Sequence, residues 1–168
     1  EAQDVTIAAL RGLLAKSPRL DHRFTFEHVG MARWDQVRAM KALGASANVN
    51  LYYVWLRGEM YPKVIGADRA HDLSPIGSLV RAGVPTTLHS DYPIGPPKPL
   101  MAISLALTRK GQSNSKTLGP GQVVTLDQAL AMVTTDAAYV LGIDDKVGSL
   151  EPGKLADFTV LERDPRAV

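Results

Sequence analysis

An α/β fold on a parallel sheet is what this sequence predicts, and three observations carry the prediction. Segments of β-forming residues alternate with segments whose apolar residues recur at helical spacing, the order of consecutive βα units. The first and third β-like segments end in polar side chains followed by a glycine or proline break. With 45% hydrophobic and 21% charged residues among 168, the chain has the composition of a globular protein with one core.

Residues 4–15, DVTIAALRGLLA, place Ile7, Leu10 and Leu14 on one face and stop at Ser17-Pro18, so they predict a helix. HRFTFEHVG alternates Phe24 and Phe26 with polar neighbours and ends at Gly30, a short strand with His28 at its carboxyl end. In RWDQVRAMKALG, Trp34, Val37, Met40 and Leu43 form a stripe that Gly44 closes, a second helix. ASANVNLYYVWL is rich in β-formers as far as Trp55, a second strand with Trp55 in the core, and residues 57–73 read as an irregular loop. SPIGSLVRAG predicts a short helix with Ser74 as N-cap, Pro75 at its first position and Gly83 at its close. VPTTLHSD is the third strand. After TTLHSDYPIGPPKPL, whose four prolines forbid regular structure, LMAISLALTRK reads as helix and GQSNSKTLGPGQV as loop. TLDQALAMVTTDAAYVLG reads as one long helix capped by Thr125 and ended by Gly142. The tail VGSLEPGKLADFTVLERDP has two strand-like pieces around a turn at Glu151-Pro152-Gly153.

Three such units fit either a doubly wound sheet or part of a (β/α)8 barrel, which when whole takes about 250 residues. Both architectures bind ligands at the carboxyl ends of their strands, where His28, His89 and Asp91 fall. The net charge is +2 and the basic residues are scattered, so neither nucleic acid nor an anionic membrane surface is an expected partner. No apolar run approaches the ~18 residues of a membrane span. The chain has no cysteine, so any metal must be held by His, Asp or Glu. No glycine-rich phosphate loop and no GxSxG nucleophile signature is present. The chain starts at Glu1 almost directly in helical sequence, so further sequence is expected upstream and localisation stays open.

His28 is either a hydrogen-bonded structural histidine or a neutral imidazole ligand for a metal such as zinc. Asp91 either opens the turn before the proline-rich loop or acts as metal ligand and general base. His89, two residues earlier, points to the same side of a strand, and it and Tyr92 are candidate substrate contacts, with a structural role as the alternative. His22 reads as a surface residue, and His71 sits in the long loop.

FEHVG, LHSDYPIGPPKPLMAISLALTR, TLDQALAMVTTDAAYVLGI and above all GSLEPGKLADF, residues 148–158, resemble the C-terminal half of the amidohydrolase superfamily. The likeness is strongest to the YtcJ-like branch that includes the N-substituted formamide deformylases. The resemblance implies the C-terminal part of a metal-dependent (β/α)8 TIM barrel in residues 1–142, about strands six to eight. Residues 143–168 would be the returning segment of a small composite β-sandwich. It implies that His28 and Asp91 bind a divalent metal, zinc in the first instance. Asp91 would take a proton from a metal-activated water and pass it to the leaving nitrogen of a small amide-like substrate. The remaining ligands of the family, including a His-x-His pair, are not in this sequence, so the chain is expected to be a fragment. By itself it would be weakly active or inactive, and it would self-associate or pair with the missing N-terminal half. The rival expectation is a non-catalytic α/β scaffold or assembly module.

Overall fold

A computed structural model describes residues 1–113 and 116–167; Asn114 and Ser115, inside the predicted loop, and Val168 lie outside the described residues. Strands β1 (Thr25–Phe26), β2 (Ser46–Asn50) and β3 (Thr86–His89) form one sheet in that order, parallel throughout. Helices α1 (Ala2–Lys16) and α2 (Trp34–Ala42) flank β1 in sequence. Between β2 and β3 lie α3 (Tyr52–Arg57), α4 (Tyr61–Ile65), α5 (Ala67–His71) and α6 (Ile76–Arg81). Three further helices follow β3: α7 (Pro99–Thr108), α8 (Leu126–Val133) and α9 (Thr135–Leu141).

The strand register sorts side chains onto two unlike faces. Phe26 pairs with Ala47, Ala47 with Thr86 and Val49 with Leu88, so these residues share one face. That face is the core: Ala47 and Val49 are fully buried with Val37 and Met40 of α2, Ile76 and Leu79 of α6 and Met132 of α8. Burying a side chain such as Val37 or Met40 contributes about 2 kcal/mol, so packing rather than helix propensity holds the helices here. Asn48, Asn50, Thr87 and His89 share the opposite face, and every one of them is polar.

Several predicted elements are corrected. The second strand ends at Asn50, because the Asn50 side-chain oxygen accepts the Tyr52 backbone N–H at 2.8 Å and turns the chain. The β-rich residues that follow form α3 instead, with Tyr52 and Trp55 ring to ring at 5.9 Å, one helical turn apart. Trp55 packs partly buried against the core, as expected of it. The segment 57–73, read as irregular, contains α4 and α5, separated at Gly66 (φ 88°). Ser74 is not an N-cap: it takes φ 48°, its buried hydroxyl donates to the Asn50 carbonyl at 2.9 Å, and Pro75 occupies the cap position of α6. The long helix is broken at Thr134 (φ −127°, ψ −93°), whose hydroxyl donates back to the Leu130 carbonyl. Its two ends are as read: Thr125 and Gln128 form a reciprocal capping box, and Gly142 closes α9 at φ 70°.

In the tail the turn forms, with Lys154 N–H donating to the Glu151 carbonyl at 3.1 Å, but the predicted strands do not. A strand exists only through its partner, and among the described residues none pairs with residues 147–162. Leu150, Leu155, Phe158 and Val160 are consequently exposed. His22, read as a surface residue, is half-buried: its Nδ1 accepts the Phe24 N–H at 3.0 Å and its Nε2–H donates to the Leu43 carbonyl at 2.7 Å.

Candidate metal and catalytic site

The chain leaves β1 at Phe26, and His28 then takes a left-handed backbone (φ 54°). Asp91, two residues beyond β3, does the same (φ 52°). Left-handed backbone is uncommon for residues with a β-carbon and costs them of order 1 kcal/mol, and such residues concentrate at functional sites. Here it aims two side chains at one another. His28 Nε2 lies 3.2 Å from Asp91 Oδ2. Their strands flank β2, two strand spacings or about 9.6 Å apart, so the side chains close that distance by leaning over the end of β2.

His89 joins them: its ring meets that of His28 edge to face, centroids 4.6 Å apart at 81°. Its Nε2 is shut off from solvent and has no hydrogen-bond partner among the described residues. Burial, reinforced by the neighbouring His28, pushes the His89 pKa down, which favours the neutral ring with a free lone pair. Glu27 completes the group, since one donor atom each from Glu27, His28 and His89 all lie within 4.8 Å of one another.

A hydrogen-bond chain across the sheet steadies Glu27. Thr87 Oγ1 donates to Asn48 Oδ1 at 2.9 Å, and Asn48 Nδ2 donates to Glu27 Oε2 at 2.7 Å. Asp91 is held from its other side. The Ile94 N–H donates to the Asp91 carbonyl at 2.7 Å and the Gly95 N–H to the Ser90 carbonyl at 2.9 Å, closing a turn. Gly95 lies so close to the Tyr52 ring that a β-carbon there would stand 2.5 Å from it, and the Tyr52 hydroxyl donates to the Pro96 carbonyl at 2.9 Å. The proline segment is thereby pinned over α3. The negative charge of Asp91 also helps burial push the Tyr53 pKa up.

Of the residues predicted from sequence, the structure gathers His28, His89 and Asp91 and leaves two others aside. Tyr92 is 72% exposed, and the 330 Å³ cavity beside His89 is lined by Tyr52, Lys98, Ala102, Val133 and Ala137 among others, not by Tyr92. His71 ends α5 and lines a different cavity with Glu59 and Lys63. Sequence reading missed Glu27, Asn48 and Thr87. Adjacent residues of a strand point to opposite faces, so Glu27 and His28 do not read as a pair until the left-handed turn at His28 is known.

The donors are imidazole nitrogen and carboxylate oxygen without sulfur, a set that suits zinc and similar divalent ions, and the orphaned His89 nitrogen fits such a ligand. Fold and geometry together define a parallel α/β protein with its candidate site at the carboxyl ends of the strands. The chain belongs to the Amidohydrolase family, whose profile matches residues 1–168. It is 34% identical over 167 residues to the N-substituted formamide deformylase of Arthrobacter pascens, covering 98% of this chain and 30% of that protein. It is 36% identical over 139 residues to an imidazolonepropionase of Acinetobacter baumannii, covering 82% of this chain and 29% of that enzyme. Among solved structures, an uncharacterized metal-dependent hydrolase from Pyrococcus furiosus superposes with a TM-score of 0.78 at 25% identity, covering 98% of this chain and 32% of that one. The family resemblance drawn from FEHVG and GSLEPGKLADF is borne out, and the chain spans about a third of the length of these relatives.

Proposed function

We propose that this chain is the C-terminal part of a metal-dependent hydrolase acting on carbon–nitrogen bonds other than peptide bonds in small amide-like substrates. In this reading residues 1–142 supply about strands six to eight of a (β/α)8 barrel, and 143–168 the returning segment of a small β-sandwich. The observation that carries it is the 3.2 Å contact between His28 Nε2 and Asp91 Oδ2, made across β2 at the strands' carboxyl ends. Two ligands about 2.0–2.1 Å from one tetrahedral ion stand roughly 3.3 Å apart, so the pair is spaced to share a metal. Similarity over the whole chain to a deformylase and over most of it to an imidazolonepropionase supports the reaction class.

His28 and Asp91 would hold the ion, zinc by preference of the donor set, and when bound it lowers the pKa of water toward neutrality and polarises a carbonyl. Asp91 holds a carboxylate oxygen at the mouth of the site, where it accepts the proton of the attacking water and returns it to the departing nitrogen. The turn from Ser90 to Gly95 fixes that carboxylate, and the small cavity beside His89 is where a substrate side group would sit.

The test uses the full-length protein that carries this chain, with a panel of formamides, cyclic imides and ureas. Asp91→Asn is expected to lower kcat by about 10²- to 10⁴-fold with a smaller change in KM. Turnover at the parent rate in that variant would refute the proton role. Removal of metal by a chelator is expected to abolish turnover, and zinc to restore it.

A further inference from the structure

Tyr53 is a hydroxyl that the proposed function leaves unused, and three observations place it at the site. It is the second residue of α3, which starts two residues beyond β2, the strand over whose end His28 and Asp91 meet. Its ring packs on the loop after β1, where a β-carbon on Gly30, two residues from His28, would stand 3.5 Å from Tyr53 Cε2. On the loop after β3, Asp91 is near enough for its charge to act on the Tyr53 hydroxyl. Successive residues of a helix project about 100° apart, so the two tyrosines turn to different sides. Tyr52 is buried, with its hydroxyl on the Pro96 carbonyl, while Tyr53 stands against the β1 side and is only partly buried. Neighbouring donors are committed elsewhere: the Thr87 hydroxyl to Asn48, the Ser74 hydroxyl to the Asn50 carbonyl and the Asn48 amide to Glu27. The Tyr53 hydroxyl has no hydrogen-bond partner among the described residues. Burial first and Asp91 second push its pKa above the ordinary tyrosine value of 10, so it keeps its proton at neutral pH and offers a donor.

We infer that Tyr53 is a catalytic residue of the proposed hydrolysis, its hydroxyl donating a hydrogen bond to the carbonyl oxygen of the amide substrate as that oxygen gains negative charge. The inference rests on the proposed function and adds a role that it leaves unfilled. When water adds to the carbonyl carbon, a C–O bond forms, the carbonyl π pair moves onto oxygen and one water proton passes to Asp91. A carboxylate has no proton to donate, so Asp91 cannot meet the new charge, and a neutral hydroxyl can. As the electron pair returns, the C–N bond breaks and the departing nitrogen takes the proton from Asp91. Tyr53 gives up no proton in either step. A donor held in place before the reaction binds the developing oxyanion more strongly than the ground-state carbonyl, so its contribution falls on kcat rather than on KM.

The experiment compares Tyr53→Phe with the parent in the full-length protein that carries this chain, on the best amide of the panel and on its thiocarbonyl counterpart. Phenylalanine keeps the ring against Gly30 and removes only the hydroxyl, so an unchanged melting temperature is expected. On the amide, kcat should fall about 10²- to 10³-fold with little change in KM. Sulfur accepts hydrogen bonds weakly, so the same substitution should slow the thioamide by a factor about tenfold smaller. The inference is overturned if the variant keeps the parent kcat on the amide, or if the loss lies in KM alone. It is also overturned if both substrates slow by the same factor, which is the outcome of a merely structural role. That comparison of factors decides the matter even where the variant melts below the parent. A parent protein without chelator-sensitive amide turnover would refute the proposed function itself, whereas an active parent with an equally active Tyr53→Phe variant refutes this inference alone.

Discussion

His28 and Asp91 hold backbone conformations that most residues avoid, and this gives the site a measurable signature in stability. Glycine adopts φ near +55° without steric cost, whereas any L side chain pays about 1 kcal/mol. His28→Gly is therefore expected to be more stable than His28→Ala by about 1 kcal/mol in urea unfolding, the reverse of the usual order for a non-helical position. Equal stabilities would show that the turn is not strained. A second residue-level outcome concerns Asp4, whose carboxylate takes hydrogen bonds from Arg33 and, at 2.8 Å, from Gln36 Nε2. Arg33 first, then Gln36, hold its pKa far below the usual carboxylate value of 3.8. A carboxylate with a lowered folded pKa adds stability that is present above 3.8 and lost as pH falls below it. Hydrogen-exchange protection of α1, whose Ile7 and Leu10 pack on the core, relative to the intrinsic rate at each pH, should fall below pH 3.8, and Asp4→Asn should bring part of that loss to pH 7. At this scale the sequence made His28, His89 and Asp91 legible because they lie at predicted strand ends. Glu27 was not, because its alignment with His28 depends on one backbone angle.

Arg109 shows the same division between elements. It ends α7 in the left-handed region and is fully buried, with its guanidinium donating to the carbonyls of Leu73, Ser74 and Leu118. Burial lowers its pKa to about 10, so it stays protonated at neutral pH and binds the α5–α6 junction to the loop after α7. Arg109→Met should cost about 3 kcal/mol or more, because three buried carbonyls lose their donor, and Arg109→Lys should recover little, since one ammonium cannot reproduce the fork. Thermal unfolding of the two variants checks both statements. Helix stripes in α1, α2 and α8 were legible from spacing, and so were the Thr125 cap and the Gly142 stop. α3 was not, because Tyr52, Tyr53, Val54 and Trp55 are β-formers by type, and only the Asn50 turn and burial of Tyr52 and Val54 in the fold make them helical. The break at Thr134 likewise follows from a side-chain hydrogen bond that spacing does not reveal.

At the scale of the whole molecule, three parallel strands present apolar residues to the helices on one face and polar ones on the other. Among the described residues the outer edges of β1 and β3 have no strand partner, and the tail leaves Leu155, Phe158 and Val160 exposed. Unpaired edges and exposed apolar segments favour association. The 168-residue chain in solution is expected to run in size-exclusion chromatography with light scattering above its 18.1 kDa monomer mass. A stable compact monomer would overturn that expectation, and with it the proposed pairing of this chain with further barrel strands.

By itself the sequence determined the α/β class, the order of the three strands, the family and the strand ends at which the candidate site residues lie. All of these rest on local spacing or on strings such as GSLEPGKLADF that survive without knowledge of contacts. Only the tertiary structure decided which polar residues share a site. Strand register, two left-handed residues and a relay of hydrogen bonds across β2 bring Glu27, His28, His89 and Asp91 together from segments some sixty residues apart in the chain. Such convergence is set by long-range pairing, which no local pattern encodes.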